Sequence, residues 1–269
     1  MDNNMKIGFI GGGALAESLL AGIAGKLLPA ANIYVCERRA ERCAELQKKY
    51  AVQTSVDAKA FLSAVDILFF AVKPKDAKAA LQENAAVGDK TLIVSVMAGI
   101  TLNDIESVFS ANPCIRVMPN TPQAVGAGMA AYALGAKAES GHGDIVDEIF
   151  SAVGKTAAVT ENLLDAVTGL SGSGPAFVFL AIDALTDGGV AAGLPRQTAL
   201  TMAAQTVMGS AKMVLETGEH PDALRDKVTS PGGTTIAGVR ALEANGFRSA
   251  LIEAVLAATE QSRAMGRKS

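Results

Sequence analysis

The chain has 269 residues, 49% hydrophobic and 19% charged, with a formal net charge of −3. That composition suits a folded protein with enough chain for a large core and two domains. Near-neutral charge without a block of Lys or Arg argues against nucleic acid as the main partner, and two His with three scattered Cys offer no metal site of zinc type.

Cys36, Cys43 and Cys114 form no CxxC pair, so they read as buried or incidental thiols in a reducing compartment. The opening "MDNNMKIGFIGGG" runs straight into a strand with no signal peptide ahead of it, and a cytoplasmic location is expected. The most apolar helical stretch, "PAFVFLAIDALTDGGVAAGL", carries Asp183 and Asp187, which argues against a membrane span.

Up to about residue 160, short β-branched runs alternate with helical segments. The predicted strands are Lys6–Ile10, Ile33–Cys36, Ile67–Val72, Thr91–Val96 and Cys114–Met118. Each is short and apolar, as a strand covered on both faces should be. Arg39–Tyr50 and Asp76–Leu81 read as helices between them, and Met129–Leu134 and Thr156–Val159 as extensions of the sheet at one edge. The alternation predicts an α/β fold whose first domain, residues 1–160, is a doubly wound, mostly parallel sheet of Rossmann type.

Residues 161–269 read as an all-α domain. Ser173 and Pro175 are placed to start a first helix and Gly193 to end it. A long second helix runs from Pro195 to Gly218, and two more are divided by Asn245-Gly246. A bundle of this size cannot bury all its Ala, Val, Met and Leu alone, so pairing of identical subunits through it is expected. No internal repeat is evident.

In "KIGFIGGGALAES" a strand is followed by Gly11-x-Gly13-x-x-Ala16 and then a helix. Gly11 permits a sharp turn, Gly13 lets the backbone approach a pyrophosphate, and Ala16 keeps the helix close to the sheet. The strand–turn–helix context makes this a dinucleotide site rather than a bland glycine turn. After the second strand stand Glu37, Arg38 and Arg39. An acidic residue there suits the ribose of NAD, and an Arg suits the extra phosphate of NADP. The reading adopted is that Arg38 and Arg39 clasp the phosphate with Glu37 turned aside, which favours NADPH while leaving NADH open; a solvated loop of charges is the alternative.

Three more loops, "FFAVKPKD", "VSVMAGI" and "RVMPNTP", follow strand ends, where ligands sit in an open α/β sheet. The expected cofactor contacts are therefore Gly11, Gly12, Gly13, Ala14 and Leu15; Arg38; Ala71, Val72, Lys73 and Pro74; Ala98 and Gly99; and Pro119 and Asn120.

Within "VTSPGGTTIAGVRALE", Ser230, Pro231, Gly232 and Gly233 break the helices just before Thr234 and Thr235. Unobstructed amides at a helix N-terminus make an anion site that suits a carboxylate. On composition alone, an ordinary N-cap by Ser or Thr is equally open.

With this segment and those before it, the chain resembles the pyrroline-5-carboxylate reductase family. "VTSPGGTTIAGVRALE" is similar to that family's signature segment, and "GFIGGGALAESLL", "FFAVKP", "MAGI", "RVMPNTP", "GLSGSGPAFVF", "DGGVAAGLPR" and "FRSALIEAV" are similar to its segments in order. The resemblance implies that amides around Ser230, Gly232, Gly233 and Thr234 hold the carboxylate of a cyclic imino acid. It implies that Thr235 acts at the ring nitrogen while a hydride from reduced nicotinamide reaches the C=N carbon, giving L-proline. It also implies dimers joined through the helical domain, assembled in some members as a ring of five.

An imine protonates readily near neutral pH, so no His is obligatory, and His142 and His220 read as surface loop residues. The family's NADP-using members often carry Ser-Asn-Arg where Cys36-Glu37-Arg38 stands, which leaves cofactor preference open. The alternative enzyme is a β-hydroxyacid dehydrogenase using Lys212, which gives Ser230–Thr235 no role. A nicotinamide-sensing binding protein without turnover would need a partner-reading segment that the sequence does not display.

Overall fold

The computed structural model describes residues 2–266. The chain forms two compact units, one running to Gly172 and joined by the stretch from Ala258, the other Ser173–Ala257. The first unit is built on eight strands: β1 (Ile7–Ile10), β2 (Ile33–Cys36), β3 (Gln53–Ser55), β4 (Ile67–Phe70), β5 (Leu92–Ser95), β6 (Cys114–Met118), β7 (Gly128–Leu134) and β8 (Gly154–Ala158). Their order across the sheet is β3-β2-β1-β4-β5-β6-β7-β8. All pairs are parallel except β6 with β7. The order reverses between β1 and β4, and an open sheet of this kind binds ligands outside the strand ends at that point.

Alternation along the strands builds two cores. Ile7, Phe9, Ile67, Phe69, Leu92 and Val94 share one face of the sheet. They meet Leu19, Leu20 and Ile23 of α1 (Ala14–Ile23), Leu46 of α2 (Ala40–Tyr50) and Ile149 and Phe150 of α5 (Ser140–Ser151). Ile10, Leu68, Phe70 and Ile93 point the other way, onto Ala77 and Leu81 of α3 (Ala77–Glu83) and Ile105 of α4 (Leu102–Glu106). The Phe9 and Phe69 rings stack at 4.8 Å within the first core. Strands buried on both faces explain why their sequences read as continuous apolar runs.

A polar network ties α1 to α2. The Glu17 carboxylate accepts from the Arg42 guanidinium, from Lys49 Nζ at 2.8 Å and from the Tyr50 hydroxyl at 3.1 Å. The Arg42 hydrogen bond, then that of Lys49, holds the Glu17 carboxyl down at about 2, burial opposing them. A depressed acid stabilises the fold above its unfolded pKa, and that contribution is lost as pH falls through the folded value. Wild-type stability should therefore decline between about pH 4.5 and 2, and Glu17→Gln should remove about 1–2 kcal/mol of that dependence after solvent screening. Denaturant titrations at pH 7 and across that acid range measure it; parallel curves for the two proteins would contradict it.

Beyond β8 come α6 (Leu164–Val167) and a π-helical turn (Thr168–Gly172) that runs directly into α7 (Gly174–Ala191). Ser173 was expected to cap α7, but its backbone is helical and it makes no side-chain cap bond. The Thr168 and Ser171 hydroxyls bond back to the carbonyls of Leu164 and Val167, four residues before each.

The second unit holds α7, α8 (Arg196–Thr217), α9 (Pro221–Lys227) and α10 (Thr234–Ala244), and most of α11 (Phe247–Gly266). These helices leave large apolar side chains in solvent, including Phe179 (63% exposed), Leu180, Met208 and Leu256. By length and composition alone Glu161–Ala191 is apolar enough to cross a membrane.

Candidate active site

A cavity of about 870 Å³ opens at the carboxyl ends of β1, β2 and β4, a volume that suits a cofactor site. Gly11 lies in its wall with φ +101°, and a Cβ there would stand 2.7 Å from the Ala71 carbonyl oxygen. That oxygen's residue is pinned, because the Ala71 amide donates to the Ile10 carbonyl at 2.9 Å. Only glycine fits such a turn. Gly13 caps α1 with extended backbone and no side-chain bond, and no atom lies within 4 Å of where its Cβ would be. The first-turn amides at Ala14 and Leu15 thus face an open approach, as an anion requires. Ala16 is fully buried against the sheet.

Gly12 is fixed from both sides. Its N–H donates to Glu37 Oε2 at 3.2 Å, and its carbonyl accepts from Arg42 Nε at 2.9 Å. Glu37 also accepts from the backbone N–H of Arg39 (3.2 Å) and from Arg39 Nε (3.1 Å). Burial of Glu37 would raise its pKa, but the bonds from Arg39, then from the Gly12 amide, outweigh it and hold the carboxyl below its ordinary value. This corrects the picture of two arginines clasping a phosphate with Glu37 turned aside. The Glu37 side chain is only 13% exposed and faces the glycine turn, so a charge partner is needed, and Arg39 is that partner. Arg38 remains, its side chain 81% exposed, with a single 3.4 Å contact to Asp76.

Of the expected cofactor residues, Gly11, Gly13, Arg38, Ala71, Val72 and Lys73 line this cavity. Gly12, Ala14, Leu15 and Pro74 are chain neighbours of its wall, whereas Ala98, Gly99, Pro119 and Asn120 follow β5 and β6, farther along the same sheet edge. Asn120 is a structural tie: its Nδ2 donates to the Ser171 carbonyl (3.0 Å) and its Oδ1 accepts from the Met129 N–H (2.8 Å). The cavity also takes in Val56, Asp57, Ala58 and Lys59 after β3, and Lys75 and Asp76 after β4. The first four escaped the sequence reading because β3 itself did, being three residues long and polar. Cys36 lines the cavity with its thiol pushed up by burial and by Cys43, and all three cysteines are free.

In the second unit, Val228 ends α9, and the Thr229 hydroxyl bonds back to the Arg225 carbonyl at 2.7 Å. The chain then turns at Gly232, φ +68°, and the Gly233 N–H donates to the Ser230 carbonyl at 3.1 Å. The positive φ requires glycine at Gly232, whereas a Cβ at Gly233 would press on Ser230 Oγ, which can rotate away. Gly233 is the N-cap of α10, with no side-chain bond. No Ser or Thr hydroxyl caps the helix, and the Gly233 amide is already engaged. The amides left for an anion are those of the first turn, beginning at Thr234, with the Thr235 side chain half-buried beside them.

Two histidines lie elsewhere than expected. His142 sits in the first turn of α5, its Nδ1 accepting from the Glu139 N–H at 3.0 Å in a capping box. His220 is the N-cap of α9, a helix the sequence reading missed, and accepts from the Asp222 N–H at 3.3 Å. His142 lies within a helix and His220 caps one, so neither is a loop residue. Lys212 is exposed on α8 and pairs with Glu216 at 3.6 Å.

Residues 161–265 match the sequence profile for pyrroline-5-carboxylate reductase dimerisation, and residues 6–99 that for NADP oxidoreductase, coenzyme F420-dependent. A pyrroline-5-carboxylate reductase of Synechocystis sp. is 48% identical, covering 98% of this chain and 100% of that one. The enzymes so named in Arabidopsis thaliana (47%; 97% and 95%) and Escherichia coli (41%; 97% and 98%) are similarly close. Among solved structures, a pyrroline-5-carboxylate reductase from Coxiella burnetii superposes with a TM-score of 0.92 at 32% identity, covering 98% and 99% of the two chains. The pyrroline carboxylate reductase of Plasmodium falciparum, with NADP bound, gives 0.87 at 32% identity, covering 99% and 100%. With a glycine-turn cavity in one unit, an uncapped Ser-Pro-Gly-Gly helix start in the other and relatives alike over nearly their whole length, the chain belongs to the pyrroline-5-carboxylate reductase family.

Proposed function

We propose that the chain reduces the C=N bond of 1-pyrroline-5-carboxylate to give L-proline, the last step of proline biosynthesis. The observation that carries this reading is the likeness to the reductases, 41–48% identical over at least 97% of the chain. When bound, a reduced nicotinamide dinucleotide supplies a hydride from its C4.

The protein's residues position both reactants. The amides at Ala14 and Leu15 hold the pyrophosphate, Gly11, Gly12 and Gly13 allowing its approach. Arg38 reaches the 2′-phosphate of NADPH, the cofactor favoured here, with NADH also accepted. Ala71, Val72, Lys73 and Pro74 border the dinucleotide beyond the glycine turn, and Ala98, Gly99, Pro119 and Asn120 border its nicotinamide end. The fit is supported by the Gly11 turn, which a Cβ would fill, and by the uncapped first turn of α1.

The substrate carboxylate is held at the first turn of α10 by the Thr234 amide and its neighbours, with the Ser230 hydroxyl beside it and Gly232 and Gly233 keeping the approach clear. The Thr235 hydroxyl bonds the ring nitrogen. As hydride adds to carbon, the π electron pair moves onto nitrogen, and the hydroxyl stabilises it there. The proton that completes the amine comes from water, which the basic imine nitrogen takes up readily near neutral pH, so catalysis rests on positioning and on that hydrogen bond.

Two copies pair through the apolar faces of α7, α8, α10 and α11, a homodimer that a ring of five dimers would repeat. Three unpaired thiols suit a cytoplasmic setting. Steady-state assays of the purified chain with NADPH and with NADH test the reading. Turnover of the cyclic imine and not of β-hydroxyacids supports it, and the reverse pattern contradicts it.

A further inference from the structure

Opposed charges meet at the cavity's rim, and they are not equally committed. Glu37 and Arg39 are closed on each other by two hydrogen bonds, and Glu37 is held further by the Gly12 amide. Arg38 and Asp76 share one long contact of 3.4 Å, with Arg38 largely in solvent. Asp76 stands at the N-terminus of α3 without making a side-chain cap bond, so α3 does not explain its carboxylate. Arg38 follows β2 and Asp76 follows β4, the two strands that flank β1. Their contact therefore joins the loops on either side of the glycine turn, and both residues line the cavity.

We propose that Asp76 determines cofactor specificity by competing with the ribose 2′-phosphate of NADPH for Arg38. This rests on the nicotinamide-dinucleotide reading above and deepens it. The phosphate must draw Arg38 away from Asp76. NADH has no such group; it leaves the pair intact and meets Glu37, which the Gly12 amide and Arg39 hold toward the glycine turn. The cavity's other charged walls, Asp57, Lys59, Lys73, Lys75 and Glu83, are common to both cases. An exposed pair of this length is weak, so a phosphate dianion can break it, and the chain discriminates less between the two cofactors than Arg38 alone would allow.

The test is calorimetric titration of the full chain with NADP⁺ and NAD⁺, alongside kcat/KM for both reduced forms. Asp76→Asn should raise the NADP⁺/NAD⁺ affinity ratio about three- to fivefold, and in an Arg38→Ala background it should change the ratio by less than about twofold. An unchanged ratio in Asp76→Asn overturns the proposal. So does an equal gain without Arg38, which would mean that the carboxylate repels phosphate through space and does not engage the arginine. Asp76→Ala, with its melting temperature, guards against a folding artefact: the two variants should agree, and disagreement between equally stable variants also counts against it. If wild type binds neither dinucleotide, the cofactor reading itself falls; if it binds both and the ratio stays fixed, only the role of Asp76 does.

Discussion

Thr235→Val is expected to lower kcat/KM for the cyclic imine by about 10²–10³-fold while dinucleotide affinity stays within about twofold of wild type. Thr235 is the second residue of α10. Valine keeps its shape and branching and removes only the hydroxyl, whose proposed partner is the substrate nitrogen. Loss of a single donor aimed at developing charge is felt mainly in the transition state. Single-turnover rates with saturating cofactor, together with a cofactor titration, separate the two effects. A parallel loss of dinucleotide affinity would place Thr235 in the wrong site.

Gly11→Ala has the next largest expected effect. The position has φ +101°, and the added methyl would press on the Ala71 carbonyl, whose residue is bonded to the Ile10 carbonyl. Strain and displaced backbone together should cost about 2–4 kcal/mol, shared between folding stability and dinucleotide affinity. Gly13→Ala is the comparison, because φ there is −71° and no atom lies within 4 Å. It should melt within about 2 °C of wild type, as a strain-free change into open space does, and weaken only the dinucleotide. Equal melting temperatures and equal affinities for the two variants would show that the turn does not work as described.

The sheet was legible because its central strands are buried on both faces: β4 "ILFF" and β5 "LIVS" announce themselves. The glycine turn was legible because backbone geometry there forces residue identity. β3 was not, since Gln53–Ser55 is polar and forms a strand only by pairing with β2. α9 could have been found: Pro221 follows a cap at His220, Asp222 opens the helix and Arg225 and Lys227 close it. Its seven residues instead passed for a connection after Gly218.

The charge arrangement at the cavity lay further out of reach. Glu37, Arg38 and Arg39 were visible, but which arginine pairs with Glu37 depends on the Gly12 amide beside it, and the partner of Arg38 comes from a loop 38 residues away. Likewise "SPGGTT" could be read as a break that frees amides, but not that the Gly233 amide closes onto Ser230 and leaves the first turn of α10 to the ligand.

Direct reduction of a cyclic imino acid can be followed atom by atom through isotope transfer. The purified chain is given 1-pyrroline-5-carboxylate and a reduced nicotinamide dinucleotide carrying deuterium at C4, and the product is analysed by mass spectrometry. The expected product is proline bearing a single deuterium on the ring carbon that was the C=N carbon. Oxidation of the cofactor without labelled proline, or unlabelled proline from fully labelled cofactor, would contradict it.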